Sequence, residues 1–144
     1  MPEATAHRSR RGPAWAETVE AVHDDLDSLW DEADFVPEAD RMAFTLAVVE
    51  AATNVVEHAV PATEAPLELE VDVTAAPQRL QAKIYEIGAA PAVLDPEAAH
   101  AVTELEESGR GMALIQALVS TVVFERHGDT NMWELRREYH RDPP

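Results

Sequence analysis

Residues 48–60 read VVEAATNVVEHAV, an apolar run crossed by Glu50, Asn54 and His58 at four-residue intervals. At about 100° per residue, each step of four drifts by only ~40°, so the three polar side chains lie along one side of a helix. Val48, Ala52, Val55 and Ala59 fall on the opposite side, where they can pack on a core. Small Ala43 and Ala47 flank the polar stripe, and that pattern leaves space beside it. A solvated helix face would by itself account for such a trio. A single metal bound by Glu50 and His58 is excluded, because eight residues separate them by ~12 Å along the axis. His58 alone reads as a C-terminal histidine that meets the last carbonyls or the helix dipole.

Working outward, Pro37 and the acids of "EADR" open this helix and Pro61 closes it. Before it, Trp15, Val19, Val22, Leu26, Leu29 and Trp30 recur at helical spacing among Glu17, Glu20, Asp24, Asp25 and Asp27, which predicts an amphipathic helix. Residues 1–12 are polar and lack an apolar period, so a disordered N-terminal arm is expected there, with the folded domain over 13–140. The final "RDPP" reads as a frayed end.

After residue 66 the period changes from 3.6 to 2. "LELEVDV" (67–73) alternates Leu67, Leu69, Val71 and Val73 with acids, and "APQR" (76–79) makes a turn. "LQAKIYEIG" (80–88) is a second strand, whose parity puts Glu86 on the same inner face as Leu80, Ala82 and Ile84. An inward carboxylate there is either satisfied within the core by backbone or water, or kept for recognition. Residues 89–108 form an Ala- and Pro-rich segment read as a lid, with a short helix at "VTELEE". "SGRGMALIQALV" (108–119) then opens a helix on Gly109, Arg110 and Gly111, where free N–H groups and absent side chains make an anion site. "TVVFERHGDTNMWELRREY" (121–139) reads as two strands joined at "HGDT". Helix, helix, two strands, lid, helix and two strands predict an α+β two-layer sandwich, with helices on one face of a mostly antiparallel sheet.

The 144 residues suit one domain able to bury roughly 68–70% of its unfolded surface. The chain has no cysteine, so neither disulfide nor thiolate chemistry is available. With 28 acids against 11 Lys and Arg, the formal net charge is −17. That balance opposes direct binding to nucleic acid or an anionic membrane and favours a basic protein partner. No signal peptide or membrane anchor is evident, and a cytoplasmic location is expected.

Three stretches together resemble a known family. "EAATNVVEHA" (50–59), "EIGAAP" (86–91) and "SGRGMALIQALVSTVVFERHGDTNMWELRRE" (108–138) look like the N box and the two glycine boxes of the GHKL ATPase superfamily, specifically its RsbW-like anti-sigma-factor serine kinases. The resemblance implies a Bergerat (histidine-kinase-like ATPase) fold, with ATP between the N-box helix and the sheet. It implies Asn54 as the Mg²⁺ ligand and Glu50 as the catalytic acid–base group. Glu86 and Gly88 would meet the adenine. His58, Gly109, Arg110, Gly111 and Met112 would complete the nucleotide site. Phosphoryl transfer rests on positioning and charge neutralisation, which such residues supply. Two residues depart from the pattern: Glu86 stands where the family has Asp, and Ala90 where its box has a second Gly. The implied function is an ATP-binding anti-sigma factor that sequesters a sigma factor and phosphorylates a serine of a STAS-type anti-anti-sigma protein. The alternative is a non-catalytic regulator of the same fold with a degenerate nucleotide site. Members of the family often act as dimers, so a homodimer is a further expectation.

Overall fold

A computed structural model describes residues 5–92 and 103–140, with the backbone alone for 103–110. In chain order it contains β1 (Ala6–Pro13), α1 (Ala16–Glu32), α2 (Glu38–His58), β2 (Glu68–Ala76), β3 (Arg79–Ile87), α3 (Thr103–Leu118), β4 (Thr121–His127) and β5 (Thr130–Glu138). The five strands form one sheet in the order β1-β2-β3-β5-β4, with every pairing antiparallel. This is the expected two-layer α+β sandwich on an antiparallel sheet. No helix among the described residues is long and apolar enough to cross a membrane.

The core follows from the two periods meeting. Leu69, Val71, Val73, Ala75, Leu80, Ala82 and Ile84 point from β2 and β3 toward the helices. They are buried with Val22, Leu26 and Leu29 of α1 and with Phe44, Val48, Ala52 and Val55 of α2. Trp30 meets Phe44 edge-on, with ring centroids 6.1 Å apart, and its indole N–H donates to Thr45 Oγ1 at 2.9 Å. Such a pairing suits a buried indole, which needs both an aromatic neighbour and an acceptor. α2 begins where Pro37 O accepts from the N–H groups of Asp40 and Arg41, each at 3.0 Å. It ends at His58, three residues before the predicted boundary proline, Pro61.

The N-terminal arm corrects one expectation. From Ala6 to Pro13 the chain is an edge strand paired with β2, in register from Ala6 against Ala75 to Pro13 against Glu68. Its helix-facing positions are Ala6, Arg8, Arg10 and Gly12, which is why no apolar alternation announced it. The two arginines instead pair with α1: Arg10 holds Asp25 through two bonds of 2.9 and 2.8 Å, and Arg8 meets Glu32 at 3.1 Å and Ser28 Oγ at 3.1 Å. The hydrogen bonds and charge of Asp25 raise the Arg10 guanidinium above its ordinary value. Gly12 lies so close to α1 that a Cβ on it would stand 2.9 Å from Thr18 Oγ1.

The start of α3 is a second correction. It begins at Thr103, so Gly109, Arg110 and Gly111 lie inside the helix rather than before it. The helix formers of "TELEE" carry the ladder through the glycines, and the N–H groups there are past the free first turn. Residues 93–102, the middle half of the expected lid, and the terminal "RDPP" lie outside the described residues.

Candidate functional site

The polar stripe of α2 faces α3. Ala47 on this side is fully buried, so the small residues beside the stripe bring α3 close instead of leaving an open space. Gly111 sits over the stripe. A Cβ there would stand 2.8 Å from Glu50 Oε1 and 3.2 Å from both the Nδ2 and Oδ1 atoms of Asn54. The carboxylate and the amide therefore converge on one backbone position where any side chain beyond glycine's hydrogen would have to displace one of them. Both side chains are half-buried. His58, one turn further, is exposed, with Nε2 3.6 Å from Glu57 Oε2, and it does not join this convergence. Met112 is half-buried next to Gly111, and the Arg110 side chain lies outside the described residues.

The second half of the site is the end of β3. Glu86 is buried on the helix-facing side, as its parity predicts. Each of its oxygens accepts from a side chain of β5: Trp133 Nε1 donates to Oε1 at 3.0 Å and Asn131 Nδ2 donates to Oε2 at 2.9 Å. Asn131 also donates to Ala90 O at 2.8 Å and accepts from Arg126 at 2.8 Å. Asn131, Trp133 and Arg126 were not legible as site residues. The alternation of "NMWEL" offered a signal, but which strand would lie beside β3 was not available from it.

Gly88 has φ +77, the left-handed region that favours glycine, while a Cβ on it would meet nothing nearer than Pro66 O at 4.0 Å. Its conformation, not space, selects the residue. Ala90 has no such φ, so the side chain that departs from the family pattern sits there without backbone strain. This corner is tied down by backbone bonds from Gly88 and Ala89 to Asp129 O, at 3.1 and 2.9 Å, and from Ala90 to Val60 O at 2.7 Å.

Asn54 offers a hard amide oxygen and Glu50 a carboxylate beside it, a donor set suited to a divalent cation that bridges phosphates. The donor chemistry of the two side chains fits Mg²⁺, while the backbone of Gly111 packs directly on them, so closely that a Cβ would stand 2.8 Å from Glu50 Oε1. A separate concavity of about 210 Å³, lined by His7, Asp72, Thr74, Gln81, Lys83 and Tyr85, lies on the other sheet face and shares no residue with this site. Burial, then the charges of Asp72, Glu70 and Glu134, push the Tyr85 hydroxyl up there.

Residues 12–137 match the protein family described as the histidine kinase-like ATPase domain. The chain belongs to that family. Among solved structures, this histidine kinase-like ATPase domain is similar to the RsbU and RsbW domains of Rv1364c from Mycobacterium tuberculosis, with a TM-score of 0.61 and 18% identity over 95% of this chain and 33% of that one. It is also similar to the histidine kinase domain from the Erythrobacter litoralis EL346 blue-light activated histidine kinase, with a TM-score of 0.51 and 14% identity over 88% of this chain and 61% of that one. At these identities the likeness is one of fold, and the chain spans only part of either protein. Comparison with curated proteins finds no match. The ATPase family and the Bergerat fold are as the sequence motifs implied.

Gly111→Ala tests the convergence. The added methyl would displace the end of Glu50, a flexible group, so the melting temperature should fall by no more than about 3 °C. Nucleotide affinity should fall at least tenfold, read by titration with a fluorescent ATP analogue. An alanine variant that binds as tightly as the parent would remove Gly111 from the site.

Proposed function

We propose that this chain is an ATP- and Mg²⁺-dependent anti-sigma regulator that holds a sigma factor and phosphorylates a serine of a STAS-type anti-anti-sigma protein in the cytoplasm. The observation that carries this reading is the meeting of Glu50 and Asn54 beneath Gly111. Asn54 would hold the Mg²⁺ through its amide oxygen. Glu50 would accept the proton of the attacking serine hydroxyl as its oxygen bonds to phosphorus and the ADP oxygen departs. Bound Mg·ATP supplies the transferable phosphoryl group and its charge neutralisation. Glu86 would accept from the adenine amino group. Phosphate contacts from the N–H groups of Gly109 and Gly111 would require α3 to begin later than it does here.

The acidic surface supports a basic face on the protein partner rather than nucleic acid or membrane. A second reading, the non-catalytic regulator, is favoured by one observation: both Glu86 oxygens already have donors. Titration of a fluorescent ATP analogue with and without Mg²⁺, followed by transfer of labelled phosphate to a STAS-type protein, separates the two. Saturable, Mg²⁺-dependent binding with transfer to serine is expected. Absence of nucleotide binding would leave only the second reading.

A further inference from the structure

The polar row at the end of the sheet runs across three strands. Arg126 on β4 donates to Asn131 Oδ1 at 2.8 Å and to Ala89 O at 3.0 Å. Asn131, fully buried on β5, donates to Glu86 Oε2 on β3. These partners fix the amide's orientation, since a guanidinium can only donate and a carboxylate can only accept. Trp133 Nε1, another donor-only group, closes the row on Glu86 Oε1 at 3.0 Å. Its ring is held independently by Phe124, with centroids 4.7 Å apart.

We propose that Trp133 is a specificity-determining positioning residue for the purine base, holding the Glu86 carboxylate as a fixed, acceptor-only edge that admits adenine and rejects guanine. The inference rests on the nucleotide reading above and names what selects the base. Glu86 is opposite Asn131 in the register, whereas Trp133 is opposite Ile84, two residues back along β3. The bond to Trp133 therefore draws the carboxylate back along the sheet and takes up the methylene by which Glu exceeds Asp. A carboxylate offers about four lone-pair positions, and two remain after Trp133 and Asn131 are served. Asn131 and Trp133 hold Glu86 by donating to its two oxygens, and a carboxylate only accepts, so what Glu86 presents to a ligand is acceptance alone. The adenine amino group satisfies it. The guanine carbonyl would face it acceptor to acceptor, an unpaired contact that a desolvated site penalises.

The experiment measures ATP and GTP affinity by calorimetry for the parent, Trp133→Phe, Glu86→Gln and the double variant. The parent should prefer ATP. Phe keeps the ring on Phe124 but removes the donor, so Trp133→Phe should weaken ATP binding about tenfold, change GTP binding less than about twofold and so narrow the ratio. In the Glu86→Gln background the same change should leave the ratio where it is, because Trp133 acts through Glu86. An unchanged ratio in Trp133→Phe, or an equal loss in both backgrounds, overturns the role of Trp133 alone. A parent that binds neither nucleotide overturns the nucleotide reading and this inference with it. A measurement on the unmutated protein guards against misfolding: the Trp133 indole N–H resonance should be protected from exchange and should shift with ADP but not GDP. An unprotected or unresponsive resonance overturns the proposal.

Discussion

Glu50→Gln should leave Mg²⁺-dependent ATP affinity within about threefold of the parent while lowering phosphoryl transfer by about 10²–10⁴-fold, the range expected for loss of a general base. Gln has the shape of Glu, and the Glu50 atom nearest the Cβ position of Gly111 is its terminal Oε1. The substitution thus keeps contact and volume but removes the proton acceptor. Single-turnover transfer to a serine-bearing partner, with the nucleotide saturating, isolates that step from binding. Equal single-turnover rates for the two proteins would mean that Glu50 takes no proton, and the catalytic reading of α2 would fall with it.

Asn54→Ala should abolish Mg²⁺-dependent nucleotide binding and leave the fold nearly as stable as before. The packed side of α2 is made by Phe44, Val48, Ala51, Ala52 and Val55, and Asn54 is not among these buried residues. Ala is also the better helix former, so removal of an off-core amide costs little by itself. What disappears is the hard oxygen placed beside Glu50. Thermal melts within ~3 °C of each other, with the Mg²⁺-dependent part of an ATP titration gone, are the expected pair of results. Undiminished Mg·ATP binding in the variant would take Asn54 out of the ligand role.

The chain was unevenly legible. The strands β2 and β3 and the helix α1 announce themselves because one face of each meets the core and the other meets water, and α2 because its apolar run is bounded by Pro37 and Pro61. β1 does not, because its helix-facing residues are Arg8 and Arg10, and arginines become inward residues only when Asp25, Ser28 and Glu32 are in place to receive them. Glu86 was legible as inward, and its resemblance to a base-recognising acid followed from motif order. Its partners were not, because β5 lies 45 residues away from it in sequence at Asn131. The glycines of residues 109–111 were read as a helix start, but the good helix formers before them extend α3 back to Thr103.

Local periodicity alone set the line of Glu50 and Asn54 along α2 and the inward parity of Glu86, since a helix phase and a strand pleat are properties of neighbouring residues. Tertiary structure decided which groups these side chains meet: Gly111 over Glu50 and Asn54, and Trp133 and Asn131 on Glu86. Those meetings depend on strand order, on register and on how closely α3 approaches α2. Each is a choice among long-range pairings whose energies are summed over the whole sheet and core, and no short window of sequence contains that sum.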